Sequence, residues 1–530
     1  MTAPSRDSPT LGTLHERATT LWPDDPAILV GETGERITYA EFDARVARAG
    51  NALAALGVGR GDRVGLFFPN EPAYLSLFFG ATRLGAVPVP LNIESPTETL
   101  AYVLDDSDAG TVVASGSGDC PERAAAAAAR TPGTVTLAID DPEPSVEYEG
   151  PTESYAATVA SAGDELRQRA VDGDEPAFQP YTSGSTGRPK GVVVDHEGAV
   201  WNANVIRKVH YFDENERGLV AAPLYHKNAM AGAVKPLLLA GGSVVVMNGF
   251  EPDAVLAAVE EYDVTYLTGV PAMYKLLLDS DALPETDVSS VDWAMCGSDN
   301  VPASLHEEFR DAFDASMLES YGLTEGGPVV SASPRWGARK VGSAGLALPD
   351  VETRVVDPDT GAELPPGEPG ELIVSSPGVA TYHDRPEKVA EDFEYRDGRR
   401  FLHTDDVVRI DEQGYHYVVG RLDDMLIVGG ENVYPSEVEE LLERHDAVED
   451  SAVVAAPHAV KGEAPVAFVV QAEDGSATAE DLKQFFIDVG PAYAHPRRVF
   501  FREDLPLTGT GKVDREQLEA AARESIDGKL

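Results

Sequence analysis

Apolar positions along the chain switch between two periods. After Thr38-x-x-Glu41, which reads as a capping box, Phe42, Val46, Ala49 and Leu53 recur at helical spacing until Gly57. Residues 64–68 form a continuous apolar run of strand length. A second helical pattern then ends near Gly85, and 87–91 reads as an extended piece. Helices alternating with short apolar strands predict an α/β fold with a largely parallel sheet. The alanine run 124–129 predicts one exposed helix. From Val341 the texture changes. Short strands such as Glu371-Leu372-Ile373-Val374 sit between turns such as Pro365-Pro366-Gly367, the pattern of a small β unit. Residues 418–424 read as a linker. Beyond it, Ser436-x-x-Glu439 predicts a second capped helix through Leu442, followed by a strand at 452–455.

The length of 530 residues implies three or four compact units, at roughly 100–200 residues per domain. No stretch reaches the roughly 18 apolar residues of a spanning helix, and residues 1–9 lack an apolar signal-peptide core. A cytoplasmic protein without membrane insertion is expected. Only Cys120 and Cys296 are present, without ligand spacing, which excludes a disulfide framework and a cysteine zinc site. Charge changes the picture further. Ninety acidic residues against 42 basic ones give a net −48, which argues against nucleic acid and anionic membranes as partners. The carboxylates are dispersed along the whole chain, a pattern resembling proteins of halophilic, high-salt cytoplasm.

The densest chemistry lies in Tyr181-Thr182-Ser183-Gly184-Ser185-Thr186-Gly187-Arg188-Pro189-Lys190-Gly191, just ahead of an apolar strand pattern. Its glycines let backbone approach an anion, and its hydroxyls with Lys190 can surround phosphate oxygens. It is not the kinase-type P-loop, because Gly191 follows Lys190 where a metal-binding hydroxyl would stand.

This loop resembles the phosphate-binding loop of the adenylate-forming superfamily, which includes acyl-CoA synthetases, aryl-CoA ligases, peptide-synthetase adenylation domains and beetle luciferases. Further segments match in that family's order: Pro223-Leu224-Tyr225-His226, Tyr321-Gly322-Leu323-Thr324-Glu325, Thr404-Asp405-Asp406 with Gly420-Arg421, Gly429-Gly430-Glu431-Asn432-Val433-Tyr434-Pro435, and Thr508-Gly509-Thr510-Gly511-Lys512. The resemblance runs from about Leu11 to about Leu518. It implies an α/β protein with a large N-terminal domain of two α/β layered subdomains plus a small β-barrel-like unit, and a small mobile α+β C-terminal domain. The boundaries are 1–419 for the AMP-binding domain, with the barrel-like part at about 341–419, then a hinge at 420–424 and a catalytic-lysine domain at 425–530.

The resemblance also implies roles. Glu325 and Thr182 hold Mg²⁺, and Thr324 bonds the α-phosphate. Tyr321 stacks on adenine beside Gly297, Ser298 and Asp299, and Asp406 and Arg421 take the ribose. Lys512 is the catalytic lysine. His226 has a positioning role near the carboxylate and thiol, and Met230 and Gly322 border the acyl pocket with it. Asp423 is the hinge, and Gly429 and Gly430 face the thiol arm. The implied reaction uses ATP, Mg²⁺ and coenzyme A to convert a carboxylic acid, fatty or aromatic, to acyl-AMP with pyrophosphate release and then to acyl-CoA. Fatty acid metabolism is one such setting. The alternatives are a stand-alone adenylation enzyme loading a carrier protein and a catalytically silent nucleotide-binding regulator. The chain ends at Leu530 without a carrier domain, which favours a free thiol, and a homo-oligomer is left open. Three positions depart from the family pattern: Asp405 and Thr381 stand where glycine is usual, and Asp299 where small residues are common.

Overall fold

A computed structural model describes residues 10–166, 171–182, 188–298, 301–428, 431–458, 462–472, 475–507 and 513–525. The first predicted helix forms as Tyr39–Ala55. Thr38 Oγ1 accepts from the Glu41 amide at 3.2 Å while Glu41 Oε2 accepts from the Thr38 amide at 2.9 Å, so two otherwise orphan N–H groups are satisfied reciprocally. The buried face, with Phe42, Val46 and Leu53, packs on the helix Pro72–Leu84. The two backbones nearly touch: a Cβ on Gly80 would stand 2.7 Å from the Gly50 nitrogen. Gly85, at φ +84°, ends the second helix in the left-handed conformation that glycine adopts without strain.

The N-terminal part holds two largely parallel sheets. The first orders nine described strands as Leu346–Ala347, Ser331–Ala332, Ser316–Tyr321, Trp293–Gly297, Tyr266–Gly269, Arg217–Val220, Ser243–Val246, Pro26–Val30 and Arg36–Thr38, parallel except at its edges. The second sets Val87–Pro90, Arg63–Phe67, Thr111–Ser115, Thr136–Asp140 and Thr152–Ser154 in parallel. An antiparallel five-stranded sheet follows, built on Glu352–Val356, Pro369–Ser375, Arg399–Ile410, Phe393–Arg396 and His416–Arg421. The C-terminal part folds around Val448–His458 and Gly462–Gln471, with cores of its own. No helix among the described residues is long and apolar enough to cross a membrane.

Three expectations are corrected. The alanine run lies in the helix Cys120–Arg130, but Ala124, Ala125, Ala127 and Ala128 are buried, because small side chains let the helix sit close on its sheet. The second capping box does not form. Pro435 occupies the first turn of the helix Pro435–Leu442, and the Ser436 hydroxyl donates instead to the Val419 carbonyl. Glu439 is buried and accepts from Arg515 at 2.6 and 3.0 Å and from the Val453 amide at 2.6 Å. The stretch read as a linker is also partly strand: His416–Arg421 pairs with Arg399–Ile410, and the turn begins at Leu422.

Candidate active site

In the large sheet, Arg217–Val220 lies between Ser243–Val246 and Tyr266–Gly269, so successive strands diverge to either side of it. Open parallel sheets place ligands beyond the carboxyl ends of strands near such a switch point. Two neighbouring strands, Trp293–Gly297 and Ser316–Tyr321, run in register and deliver Gly297, Ser298, Tyr321 and Gly322 there. Ser298 has φ +73°, an uncommon state for a residue with a side chain, of the kind that concentrates at functional sites.

Asp406 and Arg421, the expected ribose pair, are cross-strand partners, so sheet register fixes their meeting. Arg421 Nη1 donates to Asp406 Oδ1 at 3.0 Å, and the Tyr321 hydroxyl donates to Asp406 Oδ2 at 2.5 Å. Burial, reinforced by the Asp406 charge, pushes the Tyr321 pKa well above its ordinary value, so the hydroxyl keeps its proton. Arg421 Nε also reaches Asp423 Oδ1 at 3.0 Å, which ties the ribose-side pair to the first residues of the turn. Asp405 takes φ +58°.

Beyond this pair stands a second one. The Thr182 hydroxyl donates to Glu325 Oε1 at 2.8 Å, bringing together residues 143 apart in sequence. Both offer hard oxygen donors, the set that suits Mg²⁺. Lys190 pairs with Thr182 across a short antiparallel hairpin, and its ammonium lies 5.3 Å from the centre of the Tyr382 ring. Thr324 is buried beside Glu325 in a short 3₁₀ turn, Thr324–Gly326. Ser183, Gly184, Ser185, Thr186, Gly187, Asp299, Gly429, Gly430 and Lys512 lie outside the described residues.

A cleft is lined in part by Gly297, Ser298, Tyr321 and Gly322. Its wall includes Gly322, but a Cβ there would stand 2.1 Å from the Pro328 carbonyl oxygen, so the backbone itself demands glycine. Met230 is buried in the main core, and the wide π-helical turn Asn228–Val234 sets Asn228, Ala231 and Gly232 on the cleft. His226 directly precedes the cleft residues Lys227 and Asn228, and its Nδ1 accepts from the Asn228 amide at 3.4 Å. Sequence reasoning missed Lys227, which lines the cleft and donates to the Gly322 carbonyl, although it directly follows His226. It also missed His210, Tyr266 and Met295, which three separate elements bring to the same wall.

The sequence profile of the AMP-binding enzyme family matches residues 15–382, and that of the AMP-binding enzyme C-terminal domain matches 437–512. The chain is 38% identical to a feruloyl-CoA synthase of an Amycolatopsis species over 489 residues, covering 92% of this chain and 94% of that protein. It is 31% identical to 4-coumarate–CoA ligase 2 of Oryza sativa subsp. japonica, covering 98% and 94%. The crystal structure of ATP-bound MatB from Rhodopseudomonas palustris superposes with a TM-score of 0.87 at 32% identity, covering 97% of this chain and 99% of that one.

Proposed function

The chain belongs to the AMP-binding enzyme family, and from that premise we propose that it is an AMP-forming acid–thiol ligase for an aromatic carboxylic acid. It joins the acid to ATP, giving acyl-AMP and pyrophosphate, and then transfers the acyl group to coenzyme A with release of AMP. The observation that carries this reading is the formation of the Thr182–Glu325 and Asp406–Arg421 pairs, the latter joined through the Tyr321 hydroxyl to a cleft at the carboxyl ends of parallel strands. The similarity to proteins named for ferulate and 4-coumarate supports an aromatic acid over a fatty one.

The chemistry follows from charge. A carboxylic acid with a pKa of about 4 is already ionised at neutral pH, so the first step needs no general base. The site must bring two anions together and stabilise charge growing at the α-phosphorus. Lys190 and the hydroxyls of its loop hold phosphate oxygens, and Lys512 supplies positive charge for the α-phosphate. Glu325 and Thr182 would hold Mg²⁺, which neutralises the triphosphate. Asp406 and Arg421 orient the ribose, and Tyr321 offers its ring to adenine. The thiol then attacks the acyl carbon, and AMP leaves. The turn that starts after Arg421, with Asp423 in it, is the pivot that exchanges the Lys512 step for the thiol step, to which Gly429 and Gly430 belong.

The test is pyrophosphate release and acyl-CoA formation with ATP, Mg²⁺, coenzyme A and a panel of short, medium, long-chain and aryl acids. Turnover of an aryl acid to its CoA ester is expected. Pyrophosphate release without a CoA ester would move the second step to a carrier-protein thiol. Release with no acid at all would reject the ligase reading.

A further inference from the structure

His210 closes the helix His196–Val209 and is completely buried. Its ring lies on the cleft wall, 5.0 Å from the Trp293 ring at an interplanar angle of 28°. Tyr266 lies 4.3 Å from Trp293 on the same wall, with its hydroxyl committed to the Gly232 carbonyl at 3.1 Å. The backbone around His210 is satisfied: its amide donates to the Ile206 carbonyl, and its own carbonyl accepts from Arg335 Nη1 at 3.0 Å. The imidazole is not. Among the described residues, neither Nδ1 nor Nε2 has a hydrogen-bond partner. Burial, with the nearby Arg335 charge, pushes the ring's pKa down to about 3, so it is neutral at working pH.

A neutral imidazole carries one donor and one acceptor. Leaving such a buried group unpaired is costly and rare, and the exceptions usually have a ligand or an ordered water. The neighbouring cleft residues Ile206, Ala231, Gly232 and Met295 offer no side-chain polar partner. A fatty tail in this cleft would leave both nitrogens unpaired, and so would an unsubstituted aryl ring. A hydroxyl on the ring of an aryl acid both donates and accepts, so it can pair with either nitrogen.

We propose that His210 is a specificity-determining residue that hydrogen-bonds a hydroxyl on the aromatic ring of the acid, and so selects hydroxyaryl acids. The proposal rests on the aryl-ligase reading above and deepens it. It also explains the stacking on Trp293, which holds the imidazole rigid in one orientation at the wall. Sites built to pair a substrate hydroxyl discriminate strongly against the analogue lacking it, because the buried partner is then left unmatched.

The experiment measures kcat/KM for cinnamic acid and its ring-hydroxylated isomers, and for benzoic acid and its isomers, in the full-length enzyme and in His210→Phe and His210→Gln. His210→Phe keeps a flat ring against Trp293 but removes both nitrogens, and His210→Gln restores a donor and an acceptor. In the wild type one hydroxylated isomer should exceed its parent acid by at least about tenfold. His210→Phe should abolish that preference mainly through KM, lowering kcat/KM for the hydroxylated acid at least about tenfold more than for its parent. His210→Gln should recover part of the preference. Equal kcat/KM for parent and hydroxylated acids in the wild type overturns the proposal and leaves the ligase standing. So does an equal loss on all acids in His210→Phe, which would mark the residue as packing or as the seat of an internal water. If the wild type activates no aryl acid, the ligase reading for aryl acids falls and this proposal falls with it.

Discussion

Asp405, at a position where the family resemblance leads to an expectation of glycine, holds φ +58°. Left-handed backbone costs an ordinary L-residue roughly 1–2 kcal/mol, and Asp less, since its short polar side chain can serve the local backbone. Two substitutions separate backbone from charge. Both Asp405→Gly and Asp405→Ala delete the same carboxylate, half exposed and 3.9 Å from Arg421, so its electrostatics cancel between them. What remains is the left-handed penalty on Ala, partly offset by about 0.4–1 kcal/mol from the greater freedom of unfolded glycine. The Gly variant should therefore be the more stable by about 1 kcal/mol. It should at least equal the wild type, because burial of the lost carboxylate, with Glu371 and Asp392 nearby, outweighs the opposing pull of Arg421 and Lys388 and pushes its pKa upward. Urea unfolding followed by tryptophan fluorescence suits the measurement. The four tryptophans, Trp22, Trp201, Trp293 and Trp336, all lie in the N-terminal part, so the signal reports the unit that contains Asp405. If the Ala and Gly variants unfold at the same urea concentration, the left-handed backbone is not what position 405 requires.

Glu325→Gln keeps a partner for the Thr182 hydroxyl but removes the charge, so the Mg²⁺ concentration for half-maximal rate should rise at least about tenfold; an unchanged Mg²⁺ titration would refute the assignment. Lys512→Ala should cripple adenylation far more than thioester formation from pre-made acyl-AMP, whereas Asp423→Pro should do the reverse by fixing φ in the turn; matched losses in both half-reactions would reject the division of labour. In the C-terminal part, burial together with Asp450 and Glu439 pushes the Glu443 carboxyl from its ordinary 4.5 up to about 8. The folded state then binds the extra proton, so stability is lost as pH rises from about 4.5 to about 8. Glu443→Gln should melt with the wild type at pH 5 and above it at pH 8.5 by circular dichroism, and a lower melting point at pH 8.5 would overturn the argument. With a net charge of −48, thermal stability should climb from dilute buffer to molar KCl as the Debye length falls to about 3 Å; a flat or falling melting temperature would remove the high-salt reading.

What could be read from the chain depended on how local its cause was. The Thr38–Glu41 capping box needs only residues three apart, and it formed as expected. Ser436–Glu439 shows the same local pattern, but each side chain is claimed from a distance, Ser436 by Val419 and Glu439 by Arg515 and Val453. The burial of the alanine helix was equally hidden, because six successive alanines look alike on every face and alanine is accepted both inside and outside. The nucleotide-side pairs were legible only as ordered motifs. Thr182 and Glu325 are 143 residues apart, and nothing local says that they touch. His210 was invisible for the same reason in stronger form. A lone histidine at a helix end has no signature until Trp293 and Tyr266 arrive from other strands.

The two motif glycines that matter here separate by physical cause. At Gly322 the obstacle is steric: any Cβ would meet the Pro328 carbonyl at 2.1 Å, and no side chain relieves a clash between backbone atoms and its own first carbon. The openness of the acyl cleft at that point is thus a by-product of how tightly the strand end folds on residues 328 and 329, so Gly322 by itself says little about the size of the acid. At position 405 the need is conformational. A left-handed turn between Thr404, which donates to the Leu372 carbonyl at 2.7 Å, and Asp406, which faces Arg421, is the one backbone requirement that Asp can meet in place of glycine. The Asp406–Arg421 pair therefore forms with Asp at position 405. Substrate choice then falls to the groups the cleft leaves unpaired, and among the described residues on its wall His210 is the one whose polar side-chain atoms are both buried and unmatched.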